Sequence, residues 1–235
     1  MIRFVLMLTP ATVNPLDSIP CFARLDPGTS KKVQQSLQLQ AFSKGEVIIL
    51  EGERCPGLYV VKSGSVKLYR SSPEGGEHIV RLINRSACFE CAPLFDHGPN
   101  PTSAQALEDS ELYLLPASDF RALLVSDSTM ALRFSEVLAM RLRALLNTIE
   151  DMSFRPAHAR LARLLLQMAE PRGDVLAVAP KQPLNQQHLA CMLGCSRQVV
   201  NTSLNKLVRQ GIIRKEGRSI IVLKPENLKE LINTD

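Results

Sequence analysis

The stretch 184–223 constrains the fold most, because it contains in order the local signals of a helix, a tight turn, a second helix and a β-hairpin. Asn185 and Ser196 are residue types that cap helices, and Gly194 lies between the two predicted helices, where it permits a tight turn. Two apolar runs then flank the segment 215–218, which predicts a hairpin with a basic tip. This order is typical of a winged helix-turn-helix.

The second predicted helix has an apolar face and a polar face. Its predicted inward residues are Val199, Val200, Ser203, Leu204 and Leu207. Its predicted outward residues are Arg197, Gln198, Asn201, Thr202, Asn205 and Lys206. Arg, Gln and Asn make bidentate hydrogen bonds to guanine and adenine in the major groove, so we expect this helix to bind duplex DNA. We expect Ser196 at the start of the helix and Arg218 at the hairpin tip to contact the DNA as well. The alternative is a tight helical hairpin whose outer face is polar only because it meets solvent.

The distribution of charge also favours DNA binding by the C-terminal part. Residues 155–235 contain thirteen Lys and Arg against six Asp and Glu, whereas residues 1–154 contain fifteen against seventeen. A polyanion is therefore expected to meet the C-terminal part. The apolar run at residues 1–8 is too short to span a membrane and lacks a cleavage site, so we expect a cytoplasmic protein without membrane contact.

Short apolar runs separated by glycines extend from residue 42 to residue 115, at 45–50, 58–61, 65–69, 78–83, 102–107 and 111–115. This spacing predicts an antiparallel roll or barrel. From residue 117 the period becomes helical, and a stripe follows the 4-3-4-3 spacing of a coiled-coil seam: Leu138, Leu142, Leu145, Ile149 and Met152. We expect this stripe to form a homodimer that reads a palindromic operator, although it would also serve to pack the helix on its own roll.

These patterns predict an α+β protein with four parts. They are a tail (1–18), a β-roll sensor domain (19–116), a dimerisation helix (117–155) and a winged helix-turn-helix domain (156–235) that begins at a Pro156 hinge with an amphipathic helix over 159–169.

This order of elements resembles the cAMP receptor protein / fumarate-nitrate-reductase regulator (CRP/FNR) family of bacterial transcription factors, over roughly residues 18–225. The segments that carry the resemblance are 45–52, 58–66, 160–165 and 193–198. The shorter segments 148–152 and 196–198, with Thr202, Leu204 and Asn205, are similar to the haem-containing carbon-monoxide sensors of the family. The resemblance implies a jelly roll like that of cyclic-nucleotide-binding domains, and RNA polymerase as a partner.

The effector segment departs from the family pattern. Cyclic-nucleotide-binding members have a Gly-Glu pair for the ribose and an Arg for the cyclic phosphate, whereas Glu90, Cys91 and Pro101 stand at those positions here. Without the guanidinium, a buried phosphate loses its strongest hydrogen bonds, and Glu90 would repel it. We therefore expect no binding of cAMP in the usual way, and an altered effector pocket formed by Phe89, Glu90, Cys91, Thr102 and Ser103. In the DNA-reading helix, Gln198 replaces a family Glu and Thr202 an Arg, so the operator is expected to differ.

Two cysteines, Cys88 and Cys91, stand where effectors of the family act. Two thiols at this spacing can form a disulfide or bind a metal, and reversible oxidation would shift the roll against the dimer helix. The alternative is that both are buried packing residues, which we also expect of Cys191 and Cys195.

Metal and haem are further hypotheses for the sensor. The family's iron-sulfur regulators have clustered N-terminal cysteines, whereas this chain has only Cys21 there, so we do not expect a cluster of that type. A four-thiolate metal site formed by Cys21, Cys55, Cys88 and Cys91 remains an alternative. The carbon-monoxide sensors have Cys and His ligands in this region, and His78 and His97 are the nearest histidines, so they join Cys88 and Cys91 as haem candidates.

The sequence leaves three classes of function. The first is a homodimeric DNA-binding transcription regulator, not an enzyme, that responds to haem or gas, redox state or a small organic effector. The second is a thiol oxidoreductase built on Cys88 and Cys91, although the CxxC pair lacks a βαβ context. The third is a ligand-binding module whose C-terminal domain contacts protein.

Overall fold

The computed structural model of the chain describes residues 19, 22, 25–89, 92–172, 175–178, 185–217 and 219–233. The predictions for the tail 1–18 and for Cys21, Glu90, Cys91 and Arg218 lie outside the described residues.

Two four-stranded antiparallel sheets form the N-terminal roll. Their strands are β1 (Gln38–Phe42), β2 (Val47–Ile49), β3 (Gly57–Ser63), β4 (Val66–Ser71), β5 (Glu77–Ile83), β6 (Cys88–Phe89), β7 (Ser103–Ala106) and β8 (Ser110–Pro116). One sheet has the order β1-β8-β3-β6 and the other β2-β7-β4-β5. The predicted antiparallel roll is therefore confirmed, and β1 extends it beyond the predicted range.

Successive residues of β3 point to two different cores, as the alternation of side chains along a strand requires. Tyr59 and Val61 face the interior between the two sheets, where the rings of Tyr59 and Phe89 are stacked with centroids 5.2 Å apart. Leu58 and Val60 face the opposite way and pack, with Phe134, in a second core against the helices.

Four helices flank the roll: α1 (Pro27–Ser36), α2 (Ala92–Asp96), α3 (Ala117–Ser126) and α4 (Ser128–Phe154). The helical segment predicted over 117–155 is thus divided in two. The division occurs at Asp127, which has an extended backbone (φ −136°) and whose carboxylate accepts hydrogen bonds from the amides of Thr129 and Met130, at 2.9 and 3.2 Å. Although α4 has 27 residues, neither it nor any other described helix has the combined length and apolar character of a membrane span.

The C-terminal domain contains α5 (Ala157–Met168), β9 (Glu170–Arg172), β10 (Val175–Val178), α6 (Gln186–Leu193), α7 (Arg197–Arg209), β11 (Ile213–Glu216), β12 (Ser219–Val222) and α8 (Pro225–Asn233). Its strands form a sheet of order β11-β12-β10-β9. Leu161 and Leu165 of α5 pack with Leu193 of α6 and Leu204 of α7 in a single core. The amphipathic helix predicted over 159–169 is α5, and Pro156, the predicted hinge, precedes it in an extended conformation.

Candidate DNA-binding surface and effector cavity

The two helices α6 and α7 meet at the predicted tight turn. The side-chain oxygen of Asn185 accepts a hydrogen bond from the His188 amide at 2.9 Å, which caps α6. Gly194 ends α6 in the left-handed conformation (φ 61°), which glycine adopts without steric cost. The Ser196 hydroxyl then accepts a hydrogen bond from the Val199 amide at 3.3 Å and caps α7.

The face of α7 away from the core is polar and basic. All six of its predicted DNA-facing residues are exposed, namely Arg197, Gln198, Asn201, Thr202, Asn205 and Lys206. Val200, Leu204 and Leu207 are buried at the expected spacing. Val199 is predicted to face inward, but it is 40% exposed. It lies about 100° around the helix axis from the buried Val200. Ser203 is half-buried.

A chain of hydrogen bonds joins the polar face of α7 to the elements on either side of it. Asn201 Oδ1 accepts hydrogen bonds from Gln186 Nε2 of α6 at 3.3 Å and from Asn205 Nδ2 at 3.4 Å. Asn205 Oδ1 in turn accepts one from Lys215 Nζ of β11 at 2.9 Å. These contacts connect the two amide side chains to α6 and to the hairpin. The sequence pattern does not assign Gln186 to this surface; its position just after the Asn185 cap is the signal that would have placed it there.

The predicted wing is the hairpin of β11 and β12. Its closing pair is Glu216 and Ser219, and Gly217 adopts a positive φ of 57° in the turn. Arg214 and Glu216 form an exposed ion pair of 2.6 Å. The hairpin therefore presents Lys215 beside α7, while the contribution of Arg218 stays a prediction.

A cavity of about 250 Å³ lies between the roll and α4. Its described lining residues are Leu68, Val80, Arg81, Ala92, Pro101, Thr102, Arg141, Ala144, Leu145 and Thr148. Among the predicted effector-pocket residues, Thr102 lines this cavity. Phe89 lies instead in the roll core, stacked on Tyr59, and Ser103 accepts a hydrogen bond from the Glu51 amide at 3.0 Å.

Two arginines of this cavity converge on the backbone of Cys88. Arg81 Nη2 and Arg141 Nη2 each donate a hydrogen bond to the Cys88 carbonyl at 2.8 Å. Arg141 Nη2 also lies 3.7 Å from the Cys88 sulfur, and this thiol is buried. Sequence reasoning missed both arginines, because they lie on β5 and α4, outside the segment where the family pattern places effector contacts.

The described histidine and cysteine side chains are dispersed. His78 lines a cavity of about 240 Å³ between β5, α4 and the C-terminal domain, whereas His97 lines another of about 680 Å³ beside Cys55. Neither histidine lines the cavity of Arg81 and Arg141. Among the described residues, no group of three or more His, Cys, Asp or Glu side chains is placed to hold a metal ion. Haem ligation by His78, His97, Cys88 or Cys91 stays a prediction, since one or two axial ligands suffice for haem.

Cys195, in the turn of the helix-turn-helix, has the surroundings of a packing residue. Cys195 packs against the core of the C-terminal domain, and burial raises the pKa of its thiol above the usual value. A thiol held in its protonated form is a poor nucleophile. This agrees with the prediction that Cys195 is a packing residue. Cys191 is half-buried, and its sulfur lies 3.6 Å from Gln187 Nε2.

The predicted dimer stripe lies on the exposed side of α4. Leu142, Leu145, Ile149 and Met152 expose between 40% and 61% of their surface. Leu138, at the start of the stripe, is half-buried against the core of the roll and helices. Beyond Leu138, each residue of the stripe therefore leaves 40% or more of its surface uncovered.

Comparison with known proteins identifies two domains in this chain. A family model described as "Cyclic nucleotide-binding domain" matches residues 39–127, and one described as "Crp-like helix-turn-helix domain" matches residues 159–231. The chain is 30% identical over 209 residues to a "CRP-like cAMP-activated global transcriptional regulator" of Mycobacterium tuberculosis, covering 88% of this chain and 93% of the relative. It is 29% identical to the "Cyclic AMP receptor protein" of Thermus thermophilus, covering 90% and 96%.

Solved structures show the same fold. A CooA variant from Carboxydothermus hydrogenoformans matches with a TM-score of 0.73 and 25% identity, covering 85% of this chain and 89% of that one. FixK2 from Bradyrhizobium japonicum matches with a TM-score of 0.75 at 22% identity, covering 85% and 98%.

Proposed function

Because this chain belongs to the CRP/FNR family of DNA-binding transcription regulators, we propose that it acts as a homodimer on a palindromic operator and responds to a signal other than cAMP. The observation that carries the proposal is the α7 face, where exposed Arg, Gln and Asn side chains project beside an ordered wing residue, Lys215. Members of this family regulate transcription and are not enzymes. We extend this to the present chain, with RNA polymerase as its partner and the cytoplasm as its location.

The homodimer is supported by the apolar stripe of α4. Solvent-exposed leucine and isoleucine at seam spacing are stabilised when a second copy covers them. A two-fold axis along α4 gives the protein two recognition helices, and these match two half-sites about one helical turn of DNA apart.

The proposal that the signal is not cAMP is supported by Pro101. This residue lines the cavity between the roll and α4, at the position where the cyclic-nucleotide-binding pattern has an arginine. Proline offers no donor to a phosphate. The relatives from M. tuberculosis and T. thermophilus carry cAMP in their names, so calorimetry with cAMP is decisive here: tight binding in this cavity would refute the proposal.

Redox sensing through Cys88 and Cys91 remains the second candidate for the signal. The guanidinium of Arg141, 3.7 Å from the Cys88 sulfur, is the feature that favours it, because a nearby cation stabilises a thiolate. A thiol oxidoreductase has less support, since the burial of Cys88 keeps a protein substrate away from its sulfur. A normal response of the Cys88→Ser/Cys91→Ser variant to oxidants would exclude both.

DNA binding is tested by selecting duplexes from a random pool and then measuring affinity for the selected sequence by fluorescence anisotropy. We expect two inverted half-sites and a steep loss of affinity with salt. Arg197→Ala weakens binding by about 1–3 kcal/mol if Arg197 contacts a base. The control Lys32→Ala, on the exposed surface of α1, leaves the affinity unchanged. If no sequence is enriched, the proposal is wrong. If Arg197→Ala binds the selected duplex as the wild type does, the DNA-contacting register assigned to α7 is wrong.

A further inference from the structure

The hydrogen bonds on the polar face of α7 form one row that begins at a lysine. Lys215 Nζ donates to Asn205 Oδ1 at 2.9 Å, and Asn205 Nδ2 donates to Asn201 Oδ1 at 3.4 Å. From the other side, Gln186 Nε2 donates to the same Asn201 oxygen at 3.3 Å. The row therefore crosses from the hairpin, over α7, to the start of α6.

The lysine determines the direction of every bond in this row. An ammonium group donates hydrogen bonds and accepts none, so the amide atom of Asn205 that meets Lys215 must be the oxygen. The nitrogen of Asn205 then points along the row, and the atom of Asn201 that meets it must be an oxygen as well. For the same reason Gln186 must meet Asn201 with its nitrogen.

The consequence is an Asn201 side chain with donors to offer and no acceptor. An amide oxygen has two acceptor positions, and both positions of Asn201 Oδ1 are used in the row. Neither hydrogen of Asn201 Nδ2 takes part in it. We infer that Asn201 selects guanine and rejects adenine, and that Lys215 is the positioning residue that determines this choice through Asn205. The inference rests on the proposed function, since it names a base that the same α7 face reads.

The chemistry of the base edges supports guanine. Guanine presents two acceptors in the major groove, N7 and O6, whereas adenine presents the acceptor N7 and the donor N6. The usual pairing of asparagine with adenine requires the asparagine oxygen to accept from N6. On Asn201 this pairing would break a bond of the row, or it would leave N6 facing the donors of Nδ2. Either result leaves a donor unpaired in the interface, which disfavours adenine.

The position of Asn201 on α7 suits contact with a base. Recognition helices contact base edges through their N-terminal residues, and Asn201 is the fifth residue of α7. Arg197 lies one turn before it on the same face and also offers donors alone. Together with Lys215 at the end of the row, this stripe presents N–H groups along its length, so it matches base edges that carry acceptors.

The test measures discrimination between two bases on the full chain. Fluorescence anisotropy is recorded with the selected operator, and Asn201→Ala identifies the position at which base preference disappears. There we expect the wild type to bind the guanine duplex at least about tenfold more tightly than the adenine duplex. Lys215→Gln should lower this ratio to about threefold or less, because glutamine can present an oxygen and so allows the amides to reverse. Lys215→Arg donates only, so it should keep the wild-type ratio.

The ratio separates base reading from attraction to phosphate, since a lost charge weakens both duplexes alike. The matched control is Arg214→Gln, which removes a charge from the same strand outside the row and should leave the ratio unchanged. Circular dichroism verifies folding; if Lys215→Gln does not fold, Asn205→Ala removes the same link and should lower the ratio likewise.

Three results would overturn the inference while the proposed function stands. They are a wild type that prefers adenine at this position, a Lys215→Gln variant with the wild-type ratio, and an Asn201→Ala variant that weakens all duplexes equally, as loss of a phosphate contact would. A chain that enriches no sequence at all would refute the proposed function and this inference with it.

Discussion

Ile149 gives the sharpest test of the α4 stripe, because its exposure sets the size of the expected effect. The side chain exposes 61% of its surface, and burying an isoleucine completely contributes about 1.5–3 kcal/mol. Covering the exposed part therefore contributes about 1–2 kcal/mol per protomer, and two-fold symmetry doubles this to about 2–4 kcal/mol per dimer. Ile149→Ser should raise the dimer dissociation constant by about 30- to 700-fold.

Sedimentation equilibrium over a range of protein concentrations measures this dissociation constant directly. The matched control is Val125→Ser at the end of α3, because Val125 is 90% exposed and lies outside the stripe. It should leave the dissociation constant unchanged. A wild-type chain that stays monomeric at micromolar concentration, or an Ile149→Ser variant that dimerises as tightly as the wild type, would refute the reasoning.

Three further tests, made with four substitutions and one labelling reaction, address the local structure. Gly64→Ala should destabilise the roll by about 2–4 kcal/mol in urea unfolding, since a Cβ at φ +84° would lie 2.2 Å from the Ser110 hydroxyl oxygen. The control Gly75→Ala, at φ +82° with open space around it, should lower stability by only about 1 kcal/mol. Equal losses of stability in the two variants would contradict this. Asp127→Ala should lower stability by about 1 kcal/mol through the lost α4 cap, and Asp127→Asn should restore most of it. Iodoacetamide should alkylate Cys195 with a pH midpoint above that of free cysteine, because burial raises the pKa of this thiol. Mass spectrometry of the labelled protein measures the midpoint. A midpoint at or below that of free cysteine would show the reasoning to be wrong.

Local signals predict much of this fold, and the exceptions have physical reasons. Glycine-bounded apolar runs locate the strands from β2 to β5, and the caps at Asn185 and Ser196 locate α6 and α7. β1 is not predicted, because its residues are mostly exposed or half-buried and its place is set by pairing with the distant β8. The break at Asp127 also escapes the periodicity, since apolar residues continue on both sides of the cap.

The candidate site also has parts that the sequence predicts and parts that it does not. The polar face of α7 follows from one helix and its period, so the sequence predicts its exposed residues correctly. The convergence of Arg81 and Arg141 depends on how β5 meets α4, and no local pattern relates residues so far apart. The sequence predicts Phe89 in the effector pocket, but pairing of β6 with β3 places its ring in the roll core.

Leu145 belongs to two surfaces. It lines the cavity of Arg81 and Arg141, and half of its surface lies exposed on the α4 stripe. A partner helix that fixes this side chain thereby fixes one wall of the cavity. Occupancy of the cavity and association of the protomers are then thermodynamically linked, and each must change the other by the same factor. The apparent affinity for a ligand in this cavity should therefore depend on protein concentration around the dimer dissociation constant, and become independent of it well above that value.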